Sequence, residues 1–348
     1  MINSARIEVD LDARAFSAFA REQGFGDGLP CIAPTETLVA EYLDATTRSS
    51  QEVVALLPPT SGPCTVEKVA INAAMAGAPP DTMPLLCASI EAMADPDFYL
   101  AALNATTAPV VPALIVNGDI RHRLSVPFRG GCFGGGDGNA ASIGRAIRLI
   151  MRNVGGQHVG VTSECVFGQP GRVVGMVVGE WEEQSPWAPL GERQGVPGDA
   201  VTAFATMGTA NICDTVAGKG RVLLELMGKS MAYLGSNNYL AVCAQFPGQV
   251  AVAINPIWAN EIIARDVPSI EDVQMLLWEH ASQPISSWPA DYRQAMEDVG
   301  RVKPDGRVHL VASPEDIIVF VCGGLGALHA TMLHGFGHTI ATTAPVRG

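Results

Sequence analysis

Charge is what this sequence has least of. Only 16% of its 348 residues are charged, against 48% hydrophobic. That balance excludes a self-repelling disordered chain and leaves enough apolar material for a large core. Lys and Arg total 22 against 35 Asp and Glu, which gives a net charge of −13 and a pI near 4.9. The basic residues form no stripe, so nucleic acid and anionic membrane surfaces are poor partners. Long apolar runs are missing too. No window approaches ~18 uninterrupted apolar residues, so no transmembrane helix is expected. The first residues, MINSARIEVDLDARAF, carry early acids and no apolar stretch, so no signal peptide is expected. The eight cysteines, at 31, 64, 87, 132, 165, 213, 243 and 322, include no CxxC. That argues against a zinc ribbon or a disulfide scaffold, and it predicts a reducing, cytoplasmic setting with most thiols acting as small buried hydrophobes.

What is present in excess is glycine at one place. Residues 128–156 read FRGGCFGGGDGNAASIGRAIRLIMRNVGG, with Gly130, Gly131, Gly134, Gly135, Gly136 and Gly138 around Cys132. Ile143, Ala146, Ile147, Ile150, Met151 and Val154 follow at helical spacing. Asn139 is placed to cap that helix and Gly155-Gly156 to stop it. Glycines at a helix N-terminus let backbone N–H groups approach an anion or a developing negative charge. A cysteine there is expected to have a lowered pKa and to be more nucleophilic.

The rest of the chain alternates strand and helix. Strand 53–57, helices 65–76 and 82–94, strand 110–116 and the glycine loop make one run. Strand 250–254, helices 257–265 and 269–281, strand 317–322 and a second glycine turn at Gly323-Gly324 make another. Between them 157–215 is β-rich, with strands at 173–181 and 201–207. The expected fold is α/β: two related halves, 1–156 and 216–348, around a cleft, with a pseudo-two-fold and the segment 157–215 between them. Both glycine turns would then lie at strand ends facing that cleft.

Each candidate has a plainer alternative. Gly136, Gly138 and Ala141 spell G-x-G-x-x-A, but the preceding strand ends some twenty residues earlier and no acidic partner follows at the spacing a dinucleotide site needs. Cys132 is either a buried structural thiol or a nucleophile. His329 follows a buried strand and a glycine turn, where a general acid or base would sit. His329, His334 and His338, with Cys322 and Glu315 nearby, are the alternative metal ligands, though Gly335 and Gly337 break the helix that their spacing would need. Glu180, with Glu182 and Glu183, closes a strand and is either catalytic or solvated. Asp27, Glu67, Lys68 and Asn72 read as capping and solvation first. Asn238, in LGSNNYL, is a turn residue or a substrate contact.

GDGLPCIAPTE, LLPPTSGPCTVEKVAINAAMAGAPPDTMPLLCASIEAM, ATTAPVVPALIVNG, GCFGGGDGNAASIGRAIRLIMRNVGG and EWEEQSPWAPL resemble a bacterial family of about this length. Its members occur beside, or fused to, a small domain named for its UGSC motif, in which U is selenocysteine. The family pattern after GCFG continues with Pro-Gly and then an aromatic and an arginine, which this chain lacks. The resemblance implies thiol or selenol chemistry with a separate small partner protein. The combined expectation is a cysteine-dependent lyase, hydratase or hydrolase acting on a small polar or unsaturated molecule. Cys132 would attack, the backbone N–H groups of residues 134–138 would form the anion cradle with Gly131, Asn139, Gly323 and Gly324 at its border, and His329 would move the proton, with Glu180 in a minor role. The alternatives are a metal-dependent enzyme and a non-catalytic binding subunit. No organic cofactor is expected, and a homodimer is compatible with the apolar composition.

Overall fold

A computed structural model describes residues 2–348. The strands are, in chain order, β1 (Val53–Leu57), β2 (Gly62–Thr65), β3 (Val111–Asn117), β4 (Met176–Gly179), β5 (Ala200–Cys213), β6 (Val250–Ile254), β7 (Ser282–Pro284), β8 (Arg307–His309), β9 (Ile317–Val321), β10 (His329–Gly335) and β11 (Thr342–Pro345). Seven of them form one curled mixed sheet, a half-barrel, in the order β4-β3-β5-β10-β6-β9, with β11 also on β5. The α/β fold is therefore as expected.

The pairing order reads the same from either edge. β3 and β4 are parallel, β6 and β9 are parallel, and every pairing between these two couples is antiparallel. The repeat expected from the sequence is nevertheless a different one. Strand β1, which the sequence pattern sets against 250–254, lies outside the sheet and pairs only with β2. A short apolar run followed by prolines looks the same in a hairpin as at the start of a βαβ unit. The pseudo-two-fold is not confirmed. Segment 157–215 supplies β4 and β5 to the common sheet, where both flank β3.

Strand alternation sorts the core into three parts. On the concave face Ala113, Ile115, Phe204, Ala251, Ala253, Ile318, Phe320 and Leu333 cluster with Cys132 and Cys322. On the convex face Leu114 and Val116 of β3 pack with the helices Val66–Ala76, Met83–Ala94 and Ala140–Asn153. Val250, Val252, Val319 and Val321 face the helices Gly220–Met231 and Ile270–His280.

Local signals set the helix ends. Thr65 accepts from Lys68 N and Gly77, at φ +74°, ends the Val66–Ala76 helix. Thr35 caps Glu36–Asp44 in the same way. Across the curl, the two edge strands meet at their C-terminal ends, where Trp181 N donates to Val321 O at 2.6 Å and Gly323 N to Phe128 O at 2.9 Å.

Candidate functional site

That meeting point brings the two glycine turns together. Gly130 and Gly324 approach so closely that a Cβ on Gly324 would lie 3.4 Å from the Cα of Gly130. Cys132 and Cys322 flank this contact. Their sulfurs are 3.6 Å apart although the residues are separated by 190 positions, within reach of a thiol–thiol hydrogen bond in which either sulfur can be the donor. Both side chains are buried, at 5% and 3% exposure. A disulfide would need about 2.05 Å, so the pair is a dithiol.

The electrostatics of the two thiols are opposite. The Cys322 S–H holds the Cys132 thiol below its ordinary range despite burial, with backbone N–H groups of Cys132, Gly323 and Phe133 adding to the effect. Cys322 is pushed well up by the hydrogen bond it gives to Cys132 and by burial. The contact thus biases ionisation toward Cys132, which gives up its proton more readily than Cys322 does. The lowered pKa was expected, but from a helix N-terminus. The helix begins only at Ala140, eight residues on, and the cause is the second thiol and the turn.

Glu180 belongs to the same place. It is 1% exposed, and its charge is felt by Cys322. Its Oε2 accepts from Asn117 Nδ2 and from Leu190 N, both at 2.7 Å, while its Oε1 is buried with no hydrogen-bond partner. Burial raises its pKa, which favours the neutral acid. Glu182 and Glu183 diverge from it to bind Arg121, whose guanidinium also stands 5.0 Å from the centre of the Phe128 ring. That ion pair holds Glu183 down at about 2.

The glycine cradle takes a different form from the expected one. Gly134 N and Gly136 N both donate to Gly131 O, so these groups close the turn on itself and are not presented to a ligand. Gly131, Gly134, Gly135 and Gly138 adopt φ of +77°, +149°, +87° and +141°, a run that only glycine takes without strain. At Gly138 a Cβ would also lie 2.1 Å from Ser125 O. The backbone donors that favour an anion here are those of Cys132, Gly323 and Phe133, and the group they face is the Cys132 sulfur. Asn139 occupies the N-cap position but makes no side-chain cap. Its Nδ2 donates to Leu124 O and ties the turn back to the preceding loop.

Other candidates have structural roles or lie elsewhere. Asn238 is fully buried and donates to Pro247 O and Gln249 O, so it holds a turn and offers nothing to a substrate. Glu67 accepts from Asn3 N, Ser4 N and Gln51 Nε2, pinning the N-terminal segment. Lys68 donates to Pro63 O, and Asn72 links two helices through Asn153. Asp27 forms a two-pronged pair with Arg145.

His329 starts β10 on the concave face, exposed, and among the described residues no hydrogen bond joins its ring to either thiol. His334 lies five residues along the same strand, hence on the other face, against Tyr233 at 5.0 Å between ring centres. His338 bonds Val242 O from the following turn. The alternative metal site therefore has its ligands pointing apart, and among the described residues no three His, Cys, Asp or Glu side chains are grouped to hold an ion.

Cys322 is the residue that reading the sequence for catalysis missed. Its signal was nonetheless present, as the chain writes Gly130-Gly131-Cys132 at one turn and Cys322-Gly323-Gly324 at the other. No protein-family model, no curated protein and no solved structure matches the chain, so the reading of the site rests on its geometry.

Proposed function

We propose that the protein is a cysteine-dependent enzyme acting on a small electrophilic molecule, with Cys132 as nucleophile and Cys322 as its proton donor. The single observation that carries this reading is the 3.6 Å contact in which one thiol donates to the other beneath two glycine turns. A thiolate adds to an electrophilic carbon of the substrate, forming a C–S bond while the displaced π pair moves onto the carbonyl oxygen or the α-carbon. Cys322 gives its proton to that atom and becomes the thiolate. On an ester, collapse of the adduct breaks the bond to the leaving alcohol, which takes that proton with it; Cys322 then takes a proton from water, whose hydroxide displaces Cys132 from the acyl carbon, releasing the acid and restoring the pair. Burial biases Glu180 toward its protonated form, and its unbonded oxygen gives it the minor role of a proton reserve beside Cys322. In this reading Cys322 takes the role expected for His329.

The turns restrict access, because Cys132 is 5% exposed. Glycine is suited to that position, since a turn without side chains opens with little steric cost. A second reading draws on the same dithiol. Exchange with a small thiol or selenol protein would oxidise Cys132 and Cys322 to a disulfide while reducing the partner's disulfide or selenylsulfide.

The test is competitive labelling with small electrophiles, read by peptide mass. Cys213 is exposed and serves as the internal reference. The reading expects Cys132 to react faster than Cys213 with an acrylate-type or ester electrophile, and Cys132→Ala to abolish turnover of any substrate found. Labelling of Cys213 ahead of Cys132 across the panel would sink it. A Cys132–Cys322 disulfide formed only with a protein partner would favour the exchange reading.

A further inference from the structure

Helix Ala140–Asn153 presents Arg145, Arg148 and Arg152, and they do not meet the same fate. Arg145 is neutralised by Asp27, with Nε–Oδ2 at 2.7 Å. Arg148 is 7% exposed and its hydrogen-bond partners are all neutral. Its Nε donates to Arg172 O at 3.0 Å, its Nη2 to Gln157 Oε1 at 2.6 Å, and its Nη1 lies 3.0 Å from Met151 Sδ. The second guanidinium, Arg172, donates to Ser163 Oγ at 3.0 Å. Among the described residues neither these two nor Arg152 makes an ion pair.

A buried cation beside a half-buried one, with no counter-charge to offset their repulsion, is costly. Burial and the charge of Arg172 push Arg148 down to about 9, so it stays charged at neutral pH. The protein has 35 carboxylate side chains and places only Asp27 here, already taken by Arg145. The missing charge has a space to occupy. A cavity of about 620 Å³ opens onto Arg148, Arg152 and Arg172. Small-molecule sites fall at about 300–1,000 Å³. Its outer wall is apolar and unusually bare, with Val166 at 66% and Phe167 at 94% exposure. A charged floor under an apolar rim is the complement of an amphipathic small anion.

We infer that this cavity binds a small organic anion, its phosphate or carboxylate held by Arg148 and Arg172 and its apolar body covered by Val166 and Phe167. The site shares no residue with the dithiol and stands whether or not the thiol reading holds. Paired guanidinium forks suit a planar or tetrahedral oxyanion better than ammonium groups would.

The experiment is calorimetric titration of the full chain with phenyl phosphate, phenylacetate and inorganic phosphate, alongside thermal melts. One equivalent of phenyl phosphate or phenylacetate should saturate the protein and raise Tm, and the tighter of the two identifies the head group. Inorganic phosphate, lacking the apolar body, should bind at least about tenfold more weakly than the better organic anion. Arg172→Gln should lose at least about tenfold in affinity. Should that variant not fold, Phe167→Ser carries the test, because the side chain is almost wholly in water and its removal leaves the core alone. Phe167→Ser should weaken the organic anion and leave inorganic phosphate unchanged. No saturable heat with either organic anion, or unchanged affinity in Arg172→Gln or Phe167→Ser, overturns the inference.

Discussion

At the scale of single residues, the site turns on who holds a proton. Removing the donor in Cys322→Ala should raise the Cys132 pKa toward the ordinary thiol value of about 8.5. Following thiolate absorbance against pH, with Cys132→Ala as the blank, checks this, and a midpoint that stays put would assign the shift to the backbone N–H groups alone. Glu180 gives a second test. Its folded pKa lies above the unfolded value, so the carboxyl's contribution to stability is full at low pH and is lost as pH rises through the raised pKa. Glu180→Gln, which does not titrate, should therefore gain in Tm relative to the parent as pH climbs from about 4, and the gain should level off above the folded pKa. A difference that is flat with pH removes the neutral-acid role. Cys132 was legible in the sequence because six glycines crowd it. Cys322 was not, because a cysteine closing a run of Ile, Val and Phe reads as one more core residue. Nothing local pairs positions 190 apart.

At the scale of elements, helices announced themselves and strands did so unevenly. Thr35, Thr65 and Gly77 carry cap chemistry that depends only on neighbours in sequence. Strand β5 was foreseen over 201–207 but continues to Cys213, because its second half is partly exposed and lacks the apolar run that marks a buried strand. The glycine turn is an element whose conformation can be tested without any substrate. Gly138→Ala places a methyl against the Ser125 carbonyl at φ +141°, and a backbone atom cannot swing aside. Urea unfolding should show a loss of about 2–4 kcal/mol. Gly326→Ala in the opposite turn meets nothing within 4 Å and takes no positive φ. It should stay within about 0.5 kcal/mol of the parent. Equal losses at both positions would mean that the turn is not held as described.

At the scale of the whole molecule, the topology was the least legible part. Alternating strands and helices suggested two halves, and the residues that decide which strands pair lie in different halves. Strand β3 is buried along its full length, between β4 and β5 from beyond residue 156. Expressed alone, residues 1–156 would keep the helices that cover Leu114 and Val116 but would bare Ile115, at about 1.5–3 kcal/mol, and strip β3 of both hydrogen-bonded neighbours, at about 0.5–1.5 kcal/mol per ladder bond. That is a large share of a total stability of about 5–15 kcal/mol. Residues 1–156 should accordingly show no cooperative melt by circular dichroism, and mixing with residues 157–348 should restore one. A cooperative melt of the isolated fragment would show that the first half folds without the common sheet.

The curl that joins Trp181 to Val321 also bears on how the chain behaves in a crowd. Outermost strands of an open sheet offer a row of unspent backbone groups, a template on which another chain can add itself. Here the outermost pair is short, four and five residues, and each turns its end toward the other. The contact that assembles the two thiols thus also guards the sheet's two flanks. A lesion that opens the thiol site by prising these ends apart should carry a second penalty, a tendency to self-associate through bared strands.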